Sequence, residues 1–177
     1  DSMSPQKRVL LASLDWFRGR IPVPLPLEEP LIPYFKDENS SEAIDSNLLV
    51  LKTALELKER FPEFEPWWNS HRSDWKKVYS YYRKKKNSKG LILQPPHSDW
   101  QDSVQRVGAS FYVNFLHSWV TERLAQDPFF EIRPESAQKL KHTVHQVFWD
   151  PKVSLYRSMA EGPWFSLEGQ LMALESF

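Results

Sequence analysis

No cysteine occurs in the 177 residues, so disulfides, thiol redox chemistry and cysteine-built zinc sites are excluded. Net charge is absent too: Lys plus Arg and Asp plus Glu both number 23. A protein that holds nucleic acid through its phosphates favours a strong basic excess, so no nucleic-acid partner is expected. No apolar run approaches the roughly 20 residues of a membrane-spanning helix, and no membrane partner is expected. The first residues carry no charged stretch followed by an apolar core, so no secretory leader is read in the sequence as given, and the compartment stays open. Sustained two-residue alternation is missing as well, which argues against sheet.

Aromatic residues are plentiful, with 8 Trp, 11 Phe and 6 Tyr. Trp at this level implies a core plus either a sugar-stacking or a partner-binding surface.

Along the chain, Ser4-Pro5 reads as an N-cap with proline in the first helical position, and an apolar pattern follows from Val9 to Phe17 until Gly19. Prolines at 22, 24, 26, 30 and 33 then make an extended connector, because each removes a backbone donor. Residues 1–39 are therefore set apart from a helical domain over 40–177. There the spacing predicts a second helix from about Ser41 to Arg60, its stripe of Ile44, Leu48, Leu51 and Leu55 widened by Val50, Ala54 and Leu57. A third is expected from about Ser70 to Asn87, apolar along Trp75, Val78, Tyr79 and Tyr82 and basic elsewhere. The fourth runs from Ser103 to about Ala125 on two stripes, one through Val104, Val107 and Phe111, the other through Gly108, Tyr112 and Leu116. Pro134 opens a fifth with the narrow face Ala137, Leu140, Val144, Val147 and Phe148. The sixth begins near Ser166 with Leu167, Leu171, Met172 and Leu174.

The fold expected is all-α. Broadly buried helices (second, fourth and sixth) alternate with one-faced helices (third and fifth), the pattern of antiparallel helical hairpins in two layers. A solenoid of hairpins would look alike, but no fixed-period repeat is present.

Between the third and fourth helices lies the most unusual stretch, Gly90-Leu91-Ile92-Leu93-Gln94-Pro95-Pro96-His97-Ser98-Asp99-Trp100-Gln101-Asp102-Ser103. Together with Ile44-Asp45, Arg106-Val107-Gly108, Asn114, Phe148-Trp149-Asp150, Leu155-Tyr156 and the run Ser166 to Leu174, it resembles the (α/α)6-toroid glycosidases. The similarity is to the amylo-α-1,6-glucosidase part of glycogen debranching enzymes and to the processing α-glucosidases. It covers roughly residues 40 to 176, and Asp-Trp-x-Asp is its most specific part.

The resemblance implies an inverting hydrolase of α-linked glucosides or oligosaccharides, with a carbohydrate substrate and no cofactor. Asp102 matches the family's general acid, and Asp99 is a second candidate. Trp100, Gln101, Arg106, Asp45, His97 and Trp164 are candidate substrate contacts. An acid of this kind must stay protonated near neutral pH, so its pKa must be raised. The base would sit roughly 6.5–9.5 Å from it. No position here matches the family's base, and six helices make only half of a twelve-helix ring. The expectation is a partial toroid, either part of a longer protein, completed by another chain, or turned into a non-catalytic helical interaction module.

Each residue also has a plainer reading. Asp102-Ser103-Val104-Gln105 resembles a capping box, which would hold Asp102 as the anion. Asp99 reads as a turn residue, Trp100 as a core plug, His97 as a surface histidine, and Asp45 and Glu168 as compensation for helix dipoles. Arg106 is read as an ion-pair partner of Asp102 or Asp99. The Lys84-Lys85-Lys86 run reads as the solvated face of an outer helix. Trp67-Trp68 is either a plug under a helical hairpin or an exposed pair. His142 and His145 lack a third ligand, so no metal site is expected.

Overall fold

The computed structural model describes residues 43–100 and 104–174. The helix expected after Ser4 and the proline-rich connector lie outside them, as do Gln101, Asp102 and Ser103.

Helix α1 spans Ser46–Arg60, and it buries Leu48, Val50, Leu51, Ala54, Leu55 and Leu57. That is more than one face, as its wide stripe predicts. Pro62–Phe64 then forms a 3-10 turn and Glu65–Ser70 a short helix, α2, which apolar spacing alone does not separate. Proline in the first turn of each costs nothing, because no intrahelical partner awaits its missing N–H. Trp68 in α2 is fully buried and stacks on Trp75 with centroids 6.0 Å apart. Trp67 is partly buried against Trp75 and His71, so the pair is a plug under the turn.

Helix α3 covers Arg72–Tyr81 and tightens into a 3-10 turn over Tyr82–Lys85. The helix expected up to Asn87 ends sooner because the Asn87 side chain accepts the N–H groups of Lys89 and Leu91, at 2.9 and 3.0 Å. Asparagine competes in this way with the helical ladder.

The centre of the molecule is α4, Phe111–Leu124, with twelve of its fourteen residues buried. It packs against α1, against α5 (Pro134–Phe148) and against α6 (Leu167–Ala173). Burying a large apolar side chain contributes about 1.5–3 kcal/mol, so Phe111, Phe115 and Phe148, all essentially inaccessible, anchor this contact. Tyr156 stacks on Phe111 with centroids 4.7 Å apart. Helix α5 buries a single face, Ala137, Leu140, Val144 and Phe148, as expected. Between α5 and α6, β1 (Trp149–Asp150) pairs antiparallel with β2 (Leu155–Tyr156), with Trp149 opposite Tyr156. This two-stranded ribbon is the sole named sheet among the described residues, and the fold is all-α.

The fourth helix does not begin at Ser103: residues 104–110 are non-helical, and Val104 and Val107 are exposed. Gly108 has φ +100°, a conformation that no helix accommodates, and exchanges two backbone hydrogen bonds with Gln94. Ser110 is the true N-cap, its hydroxyl accepting the Val113 N–H.

The sixth helix is not broadly buried. It presents Gly169 and Ala173 to the core, whereas Leu167, Leu171 and Leu174 are 74%, 56% and 82% exposed. Gly169 permits the approach, since a Cβ there would stand 3.2 Å from the Phe111 ring.

Candidate functional site

The stretch from Gly90 to Trp100 is a loop stitched to its surroundings by backbone bonds. Asn87 turns it, Gly90 adopts φ +82°, and Ile92 is clamped by Asn114 of α4. The Asn114 oxygen accepts the Ile92 N–H at 2.7 Å, while its amide donates to the carbonyls of Ile92 and Ser110, at 3.0 and 2.8 Å. Further on, the Ile44 N–H donates to the Ser98 carbonyl at 2.6 Å, and the Ser98 hydroxyl donates to the Pro95 carbonyl. His97 completes the turn with φ +55°. Residues 108–110 run on the other side, bonded to Gln94 and to the segment around Met159 and Ala160. Three non-helical segments thus lie side by side at the start of α4.

The carboxylates are placed by these segments. Asp99 is buried; its Oδ2 accepts from the Gln94 amide at 3.0 Å and faces Arg106 Nη1 at 3.4 Å. The Ser110 hydroxyl donates to Gln94 Oε1, which orients that amide. Arg106, also buried, reaches Glu168 in the first turn of α6 at 3.5 Å with its second nitrogen. Ser110, Gln94, Asp99, Arg106 and Glu168 therefore form one polar chain that ties the loop to α4 and α6. The turn reading of Asp99 is replaced by a buried, ion-paired one, and Arg106 pairs with Asp99 as expected. Glu168 does more than compensate a dipole.

Asp45 is 3% exposed and does not cap α1 with its side chain. Its Oδ2 accepts the backbone N–H of Trp100 at 3.0 Å, and the Tyr112 hydroxyl donates to the same carboxylate. Burial raises its pKa to about 6; the bonds from Trp100 and Tyr112 oppose that rise, and the nearby charge of Asp99 adds to it. Burial also pushes the Tyr112 hydroxyl well up, reinforced by the Asp45 charge, so it remains a donor at all ordinary pH values.

Above this carboxylate, the Trp100 ring is 51% exposed and meets the Tyr112 ring edge-on at 6.5 Å. It is not a core plug. Asp102 and Gln101, which follow Trp100 directly, belong to the residues outside the description. His97 sits half-buried in the same loop. Trp164 is 70% exposed, and no hydrogen bond, ion pair or ring contact among the described residues joins it to the Asp45–Asp99 cluster. No group of three or more His, Asp or Glu side chains among the described residues could hold a metal ion.

Tyr112, Gln94 and Ser110 are the site residues that sequence reasoning missed. Tyr112 looked like one more apolar position on a two-sided helix, and nothing local pairs it with Asp45. Gln94 carried a weak signal, since a glutamine before two prolines has few local backbone groups to serve.

No protein-family model matches this chain, and no curated protein matches it either.

Proposed function

We propose that this chain is the acid-bearing part of a glycoside hydrolase of the (α/α)6-toroid type, acting on α-linked glucosides or oligosaccharides with inversion. The observation that carries the reading is the Trp100 ring, half exposed while its residue is held in place: the Trp100 backbone N–H is bound by Asp45, and the loop is pinned by the Asp99–Arg106–Glu168 chain. A rigid aromatic face among carboxylates suits a sugar, whose C–H faces stack on the ring while its hydroxyls bond to the acids. Asp102, two residues beyond Trp100, is the general acid in this reading. Asp45 is a positioning residue, holding Trp100 through the backbone. The Gln94 and Arg106 contacts hold the buried Asp99 beneath the loop, and in this reading His97 and Gln101 flank the sugar.

Tryptophan fluorescence during titration with isomaltotriose and maltotriose tests this. Saturable binding by the wild type, lost in Trp100→Ala and kept in Trp164→Ala, supports the sugar platform; absence of binding to both sugars overturns it. In the ring completed by its remaining helices, Asp102→Asn should abolish hydrolysis while sugar binding persists. Full activity of that variant removes Asp102 from the acid role.

A second reading, a non-catalytic helical interaction module or half of a ring completed by another chain, is favoured by the bare outer face of α6. Leu167, Leu171 and Leu174 all point away from the core, beside exposed Trp164. Such a patch is a recognised mark of an association surface. Sedimentation analysis should then show association that Leu167→Lys together with Leu171→Lys removes; a monomer at all concentrations that binds no hydrophobic dye defeats this reading.

A further inference from the structure

A groove of about 560 Å³ runs between helix α5 and the segment that follows α3, and it shares no lining residue with the Asp45–Asp99 cluster. One wall is a helical stripe: Ser136, Lys139, Thr143 and Gln146 recur every three or four residues along α5, on the face adjoining its buried stripe. The opposite wall is the Asn87 turn, which brings Lys86 and Lys89 to the groove. That wall is stiff. Lys86 is backbone-paired with Ile92, Asn87 accepts two loop N–H groups, and the Gly90 N–H returns to the Asn87 carbonyl at 2.9 Å. The floor is the hydrogen-bonded pair Tyr79 and Thr121, 2.9 Å apart.

The charge here is of one sign. Three lysines and no acidic side chain line the groove. No carboxylate among the described residues lies within ion-pair distance of Lys86, Lys89 or Lys139. This contrasts with another lysine-lined hollow, on the outer face of α3. There Lys76 pairs with Glu131 at 2.9 Å and Lys77 faces Asp74 at 3.6 Å.

Lys86 is partly buried, and burial, followed by the charge of Arg83, lowers its pKa. A cation removed from water without a counterion is costly, and an anion in the groove would offset that cost. Three lysines lining one groove with the hydroxyl of Ser136 suit a dianion rich in acceptor oxygens, while the Thr143 hydroxyl donates to the Lys139 carbonyl at 2.9 Å. The volume is that of a small-molecule site.

We propose that this groove binds a small phosphorylated molecule, its phosphoryl group held by Lys86, Lys89 and Lys139 with a hydroxyl donor from Ser136. The site is separate from the sugar platform and does not depend on it. Titration calorimetry of the full chain with pyrophosphate at low ionic strength tests it. One saturable site is expected, weakened about tenfold or more by Lys139→Met and by Lys86→Met, and unchanged by Lys77→Met in the other hollow. Lys139 is exposed, so its substitution leaves folding intact and keeps the test decisive if Lys86→Met is unstable. Absence of saturable binding overturns the proposal. So does an equal loss in Lys77→Met and Lys139→Met, which would make the attraction a diffuse property of the basic surface.

Discussion

Asp45 Oδ2 holds the backbone N–H of Trp100 at 3.0 Å, tying the entry of α1 to a loop reached only after two further helices. The bond occupies a carboxylate that burial disfavours as an anion, and a pH dependence follows.

The Asp45 pKa is raised from 3.8 to about 6, so the native state binds more protons than the unfolded chain between those values. Its contribution is fully present below pH 3.8 and is lost as pH rises through about 6, to a total of about 3 kcal/mol. Asp45→Asn keeps an acceptor for the Trp100 N–H without titrating. Subtracting the stability of the variant from that of the wild type, by urea unfolding from pH 4 to 7, should give a difference that declines with pH. A flat difference would mean that Asp45 does not titrate as described.

His117 acts with the opposite sign. It is fully buried, stacked on Tyr79 at 5.8 Å, and neither ring nitrogen has a partner among the described residues. Burial drives its pKa well below 6.5, helped by the charge of Lys86, so it contributes stability above the unfolded pKa that is lost as pH falls. His117→Phe retains the stack and removes two unsatisfied polar atoms. It should stabilise the fold at neutral pH by about 1 kcal/mol and reduce its sensitivity to acid, both measurable by thermal melting.

Arg106 stands between two carboxylates, with its own side chain 8% and that of Asp99 1% exposed. Arg106→Met would leave Asp99 buried without its cation and should cost about 3 kcal/mol in urea unfolding. Arg106→Lys should recover part of this, because lysine restores the charge without the two-pronged reach to Asp99 and Glu168. A loss below about 0.5 kcal/mol in Arg106→Met would show the pair to be energetically idle.

Asn114→Ala should destabilise by about 2–3 kcal/mol, since it orphans the N–H and the carbonyl of a fully buried Ile92. Amide exchange at Ile92 should accelerate in step. Unchanged protection at that amide would mean that other contacts hold the loop.

Helix faces were legible in the sequence where apolar spacing was long and the ends were marked. Pro134 opened α5, and the narrow stripe from Ala137 to Phe148 is buried as drawn. The error at α4 came from reading apolar periodicity through Gly108, although Val104 and Val107 are exposed on a non-helical segment. Period alone cannot tell a helix from a loop whose hydrophobic residues fall at helical intervals by chance, and the Gly108 to Ser110 boundary was the stronger signal. In α6 the leucines looked like core, but the helix packs through its glycine and alanine.

By itself the sequence determined the helical class, because long apolar periods, few breakers inside them and no cysteine leave no other way to bury so many aromatic residues. It also marked the loop before α4 as chemically distinctive. Only the tertiary structure decided how that loop is held: Asp45 with Trp100 and Tyr112, and Asp99 with Gln94, Arg106 and Glu168, are partners drawn from separate elements. Local periodicity constrains which face of a helix turns inward, whereas the choice of partner for a buried charge depends on which elements meet around it once the chain has folded.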